Sequence, residues 1–223
     1  MKTVVLDKGY VRLVDSMGSD LSIVRAARVS YDADWRTGDD SGKDEKLIKY
    51  LMKNKHTSPF ESVVLTFEIK CPFFIARQWH RHRTWAYNEI SARYCELDEG
   101  YYVPDPDLIG VQSKDNKQMR EVGQESAISL AFSQYIAESC EKAFTMYKVL
   151  IKQGCPRELA RSVLPMAAYT RFFGTVNLHN LLHFINLRIH EHAQYEIREY
   201  AQALLDLTET VAPITVKYFK ETR

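Results

Sequence analysis

Hydrophobic and polar positions recur along the chain with two different periods, and these divide it into strands and helices. The run V-V-L-T-F-E-I-K at 63–70 alternates. Leu65, Phe67 and Ile69 point one way, and Thr66, Glu68 and Lys70 the other, as a strand with one buried face requires. Val4 to Leu6 and Tyr10 to Val14 predict two short strands around a Lys8-Gly9 turn, and the aromatic, β-branched stretch Tyr169 to Val176 predicts another. Elsewhere the spacing is helical. Leu47, Ile48, Leu51 and Met52 mark one apolar face. Ile128, Phe132, Tyr135, Ser139, Ala143, Met146 and Leu150 mark the face of a long helix from about Ser126 to Gln153, which Gly154 and Pro156 end. Asp20 is placed to cap a helix from Leu21 that carries Val24, Ala27 and Arg28. Pro72 opens one through Phe73, Phe74, Ala76 and Arg77, and Asn177 is placed to cap another. Glu191 to about Thr210 also reads as helix. Residues 32–45, with Asp32, Asp34, Asp39, Asp40, Gly38 and Gly42, and residues 100–125, with Pro104, Pro106 and Gly110, read as loops. No repeat, low-complexity tract or linker interrupts the pattern, so one α+β domain over residues 1–223 is expected.

Composition narrows the class. The 223 residues are ample for a core, and 45% hydrophobic with 26% charged residues is ordinary for a soluble globular chain. A net charge of +1 argues against a surface-wide nucleic-acid footprint. No apolar run has the length of a membrane span, and the apolar run in M-K-T-V-V-L-D-K-G-Y is too short for a signal-peptide core. Cys71, Cys95, Cys140 and Cys155 are widely spaced with no C-x-x-C pair, which disfavours a disulfide framework or a zinc knuckle and favours a cytoplasmic setting.

The chemistry concentrates at 81–94, R-H-R-T-W-A-Y-N-E-I-S-A-R-Y. Arginine and lysine are segregated around it. Arg77, Arg81, Arg83 and Arg93 are the cations between Lys70 and Lys114, and Arg157, Arg161, Arg171, Arg188 and Arg198 those between Lys152 and Lys217. Arginine's planar fork matches phosphate, carboxylate and imide edges; it also serves in structural ion pairs and in stacking on Tyr and Trp. The pair His179 and His183 has zinc-like spacing, but there is no H-E-x-x-H and no metal is expected. Ser91 and Cys95 are possible nucleophiles, yet neither sits in an elbow motif. There is no Walker loop and no G-x-G-x-x-G, so any nucleotide must be held by side chains and irregular loops.

Arg81-His82-Arg83, seven residues, then Ser91 resembles the signature of the flavin-dependent thymidylate synthases. The longer form R-H-R-x-x-S-x-N-E-x-S-x-R-Y is matched except at Ala86, where serine is usual. R-A-A-R-V-S at 25–30, H-T-S-P-F-E at 56–61, A-R-Q-W at 76–79, P-R-E-L-A-R at 156–161, Y-T-R-F-F at 169–173, and N-L-R with H-A-Q at 186–194 resemble family segments in family order. The resemblance implies a family-specific fold, a mixed sheet with long helices and no Rossmann domain. It implies methylation of dUMP to dTMP, with methylenetetrahydrofolate as carbon donor and FAD recharged by NADPH. It also implies a homotetramer whose active sites are built from several subunits.

Site residues follow from the same resemblance. Gln78, Trp79, Arg81, Glu89, Ser91, Ala92, Arg93, Arg161 and Arg188 would contact dUMP, with Arg93 and Arg161 at the phosphate. Ser30, His56, Ser58, Arg81, His82, Arg83, Asn88, Glu89, Asn177, His179 and His183 would contact FAD; Ser58 stands where threonine is frequent, and His179 where arginine is common. Arg188 would be catalytic: a fixed cation beside the uracil imide favours its ionised form, and no enzyme nucleophile is needed. Two other readings share part of the pattern. One is a flavin- and folate-dependent dUMP hydroxymethylase; the other is a nucleic-acid-binding module stacking bases on an Arg-His-aromatic patch, which near-neutral charge and the central Glu89 disfavour.

Overall fold

The computed structural model describes every residue except 34, 35, 39–41, 118, 123–125 and 223. Its strands are β1 (Lys2–Val5), β2 (Gly9–Met17), β3 (Val64–Pro72), β4 (Ala86–Glu89), a two-residue pair β5 (Val111–Gln112) and β6 (Arg120–Glu121), and β7 (Tyr169–Asn177). Five of them form one sheet in the order β1-β2-β3-β7-β4. The α+β class and the long helices are as expected. The sheet itself is antiparallel at each of its four pairings, so strands and helices are mixed in the fold while strand directions are not.

The alternation in β3 sorts its faces as its sequence predicts. Leu65, Phe67 and Ile69 are fully buried. Glu68, on the opposite face, is also buried, because Arg12 and Arg171 close over it. Lys70 and Arg171 in turn share Glu99. β7 runs beside β3 and brings Gly174 opposite Phe67. A Cβ at Gly174 would lie 2.9 Å from the Trp85 ring, which explains a glycine inside a strand.

The helices are α1 (Asp20–Arg28), α2 (Lys43–Lys53), α3 (Phe73–Trp79), α4 (Pro106–Ile109), α5 (Ser126–Lys152), α6 (Arg157–Ala160), α7 (Leu178–Arg188), α8 (Tyr195–Glu209) and α9 (Pro213–Glu221). Asn177 caps α7 as predicted, its Oδ1 accepting the Asn180 N–H at 2.9 Å. Asp20 does not cap α1, where Ser19 holds the cap position. Its buried carboxylate instead accepts the Ile214 and Thr215 N–H groups and the Thr215 hydroxyl, closing the first turn of α9 nearly two hundred residues away. Several elements lie outside the sequence expectations: α9, whose signal is Pro213 at its start, the short edge strand β4, the one-turn helix α6, and α4 with the β5–β6 pair inside the segment expected to be loop. Of the loop expected at 32–45, Asp34, Asp39 and Asp40 lie outside the described residues.

The long helix α5 runs where the spacing places it. Ser129, Ser133, Cys140, Phe144 and Tyr147 form its buried side. Ile128, Phe132, Tyr135 and Met146, on the face that the helical spacing marks, are exposed, as are Leu130, Ile136 and Val149. The buried side is offset by about one residue from the face that the spacing marks, so a large apolar face is turned outward.

Candidate active site

Three pieces of chain meet at the end of α7. The helix α3 carries Gln78, the turn after it carries His82, and α7 carries Arg188 at its last position. His82 packs edge-on against Phe184, one turn before Arg188, with ring centroids 4.7 Å apart. The His82 carbonyl accepts the Tyr87 hydroxyl at 2.9 Å. The R-H-R turn is thereby tied to β4 on one side and α7 on the other.

Arg188 is half-buried, and its Nε–H donates to His82 Nε2 at 3.0 Å. A ring nitrogen that accepts carries no proton, so His82 is neutral with its proton on Nδ1. Burial, then the positive charges of Arg188 and His183, push its pKa down to about 4. Burial also pulls the Arg188 pKa down, yet a guanidinium is basic enough to keep its proton. An arginine oriented by a carboxylate has its charge cancelled; one oriented by a neutral imidazole keeps it for a ligand.

The state of His82 is testable. The unfolded chain takes up this proton near 6.5 and the folded one only near 4. His82 therefore costs no stability above the higher value. The folded state loses ground as pH falls between the two, and the deficit is constant below the lower one. NMR titration of labelled histidine is expected to place the His82 midpoint near 4, with a stability difference between wild type and His82→Gln that grows over that window; a midpoint near 6.5 overturns the assignment.

Two groups of arginines differ in what they meet. Arg12, Arg28, Arg120, Arg157 and Arg171 meet carboxylates. Among the described residues, Arg81, Arg83, Arg93, Arg161 and Arg188 meet none. Arg93 is exposed over the Tyr94 ring, 5.9 Å from its centroid, and Arg161 donates from Nε only to the Glu158 carbonyl at 3.3 Å.

Around Arg188 lies a cleft of about 570 Å3 lined by Gln78, Asn186, His190, His192 and Gln194. A second cleft of about 470 Å3 shares Asn186 with it and is lined by His179, His183, Phe60 and Leu182. A third, of about 670 Å3, shares Leu51 with the second and is lined by Ser30, His56 and Ser58. One continuous rim thus joins five of the residues expected at the flavin to the arginine expected at the pyrimidine. Its mixed apolar and polar lining suits a ligand with an aromatic ring and a polar chain.

The remaining expected residues stand apart from this rim. Arg81, Arg83 and Asn88 are exposed on the turn and on β4. Glu89, on the same edge strand, accepts the Thr170 hydroxyl at 2.5 Å. Asn177 spends its carbonyl oxygen on the α7 cap. Ser91, Ala92 and Arg93 follow β4, and Ala92 is buried, so only its peptide group is a candidate contact. The segment after them is held by α5, where the Tyr147 hydroxyl accepts the Leu97 N–H. The Trp79 side chain must be withdrawn as a substrate contact. It is wholly buried, stacked on Phe184 and ringed by Trp85, Phe172 and Tyr200. The sequence reading in turn gave no role to Gln194 or Glu196, although the H-A-Q segment was one of its resemblances.

Fold and site together define an α+β protein in which arginines free of described carboxylates, and not a glycine-rich loop, are the candidates for holding an anion. A family model described as "Thymidylate synthase complementing protein" matches residues 12–214. The flavin-dependent thymidylate synthase of Treponema pallidum is 46% identical over 221 residues, 97% of this chain and 70% of the relative. That of Thermotoga neapolitana is 43% identical over 219 residues, 98% of this chain and 94% of the relative. Among solved structures, the UMP/dUMP methylase PolB of Streptomyces cacaoi bound with 5-Br dUMP superposes with a TM-score of 0.86 at 36% identity, covering 98% of this chain and 97% of that one. The chain belongs to the flavin-dependent thymidylate synthase family. Among the described residues, no group of three or more His, Cys, Asp or Glu could hold a metal ion, and no helix is long and apolar enough to cross a membrane.

Proposed function

We propose that this protein, as one catalytic domain, reductively methylates dUMP to dTMP in the cytoplasm, with methylenetetrahydrofolate as carbon donor and FAD recharged by NADPH. The observation that carries the reading is Arg188, a half-buried cation held by a neutral imidazole at the mouth of a polar cleft. Arg188 stabilises the uracil imide as it loses its proton, which makes the ring electron-rich enough to attack carbon. Gln78 shares the cleft and helps seat the base. Arg93 and Arg161, free of carboxylates, take the phosphate, and Ser91 with the peptide N–H groups of 91–93 adds neutral donors.

Ser30, His56, Ser58, His179 and His183 line the joined clefts and fit the flavin, and Arg81 and Arg83 supply cations for its pyrophosphate. When bound, the flavin supplies the reducing equivalents. No cysteine serves as nucleophile: Cys71 and Cys140 are buried with their thiol pKa values pushed up. The test is product analysis by mass after incubating the flavin-loaded protein with dUMP, methylenetetrahydrofolate and NADPH. Thymidylate is expected; a hydroxymethyl product, or protein that takes up no flavin, overturns the reading.

Arg93 and Arg161 do not line the Arg188 cleft of the same chain. A homotetramer with shared active sites accounts for this, and the outward apolar face of α5 is the surface for it. Phe132→Glu with Tyr135→Glu is expected to reduce the mass measured by light scattering and to abolish activity. An unchanged mass would place the interface elsewhere.

A further inference from the structure

Gln78 does not stand free at the cleft wall. Its Nε2 donates to Gln194 Oε1 at 2.5 Å, and Gln194 Nε2 donates to Glu196 Oε2 at 2.9 Å. Glu196 is 2% exposed, in the first turn of α8. Its other oxygen receives the Tyr102 hydroxyl at 3.2 Å and the Arg120 guanidinium at 3.1 Å. Every group facing this carboxylate is a donor, so it acts only as an acceptor.

A glutamine amide has one accepting and one donating end, and an isolated pair of glutamines can hydrogen-bond in either sense. A buried carboxylate removes that freedom. Gln194 must turn its NH2 to Glu196, which leaves its carbonyl for Gln78. Gln78 must then spend one N–H on that carbonyl. We propose that Glu196, acting through Gln194, is a positioning residue that fixes the amide polarity of Gln78, so that its carbonyl oxygen and its second N–H are offered to the nucleotide in the Arg188 cleft. This rests on the reading of Gln78 as a dUMP contact. A reversed Gln78 would turn its NH2 group to the nucleotide and its carbonyl oxygen toward Gln194.

A double-mutant cycle tests it, with dUMP binding to the flavin-loaded, full-length protein measured by calorimetry. Glu196→Gln keeps the size and the contacts to Tyr102 and Arg120 but lets Gln194 reverse. It is expected to weaken dUMP binding about tenfold, the worth of one misaligned hydrogen bond. In a Gln78→Ala background the same change is expected to have no further effect, because the residue it acts through is gone. A loss of equal size in both backgrounds marks a purely structural role and overturns the proposal. So does no loss in the wild-type background when Gln78→Ala itself weakens binding. If Gln78→Ala binds dUMP normally, the contact assigned to Gln78 fails and the relay falls with it. Gln194→Met, which removes both amide bonds and leaves Glu196 on Tyr102 and Arg120, gives the same cycle should Glu196→Gln not fold.

Discussion

Arg188→Ala is expected to lower kcat for dUMP methylation by roughly 10²- to 10³-fold, the range seen when one group aimed at developing charge is removed, while flavin stays bound. The size follows from the environment. Arg188 is half-buried, meets no described carboxylate and is oriented by neutral His82, so its charge is not spent inside the protein. Arg188→Lys is expected to recover little. A lysine ammonium has no planar fork that can donate to His82 from one edge and to a ligand from the other. Stopped-turnover product assays with the flavin absorption spectrum recorded on the same samples separate the outcomes. Loss of flavin together with activity would mean that the cation serves the cofactor and that the catalytic role is misassigned. Cys95→Ala is the control, expected to retain activity; its abolition with the fold intact would restore a cysteine nucleophile.

Trp79→Ala is expected to destabilise the protein by about 3–5 kcal/mol, as other large-to-small changes of buried aromatics do. The indole stacks on Phe184 at 4.7 Å between centroids and meets Trp85, Phe172 and Tyr200 edge-on. Its removal opens a void where β7, α3, α7 and α8 come together. Trp79→Phe is expected to cost less, since the ring contacts partly survive and the indole N–H has no partner among the described residues to lose. Chemical denaturation gives the stability and dUMP calorimetry gives the affinity. If Trp79 contacted the nucleotide directly, binding would fall with stability untouched, and the core placement would be wrong.

The two residues illustrate how far the amino-acid pattern reaches. Trp79 and Gln78 are neighbours in a segment that resembles its family as a block, and nothing local separates their roles. α3 separates them: consecutive helical positions point about 100° apart, so Trp79 enters the core while Gln78 reaches the cleft. The same limit explains α5. Its helical period was legible, but both of its sides carry apolar residues. Which side meets the sheet and which faces outward is decided by packing, not by spacing. Asp20 was legible as a capping residue and illegible as to which helix it caps, because its partner lies at Ile214 and Thr215.

By itself, the sequence determined β1, β2, β3, β7 and most of the helices through periodicity. It also determined the family, through segments spread from residue 25 to about 198, and the arginine-rich chemistry of the site. Period-2 and period-3.6 patterns are local and survive in one dimension. What the tertiary structure alone decided is which arginines are free and which are spent. Arg171 and Arg188 look alike in sequence. The sheet places Arg171 against Glu68 and Glu99, and α7 ends Arg188 against a neutral imidazole. A side chain's charge is set by its chemistry, but whether that charge is available to a ligand depends on neighbours brought in from a hundred residues away.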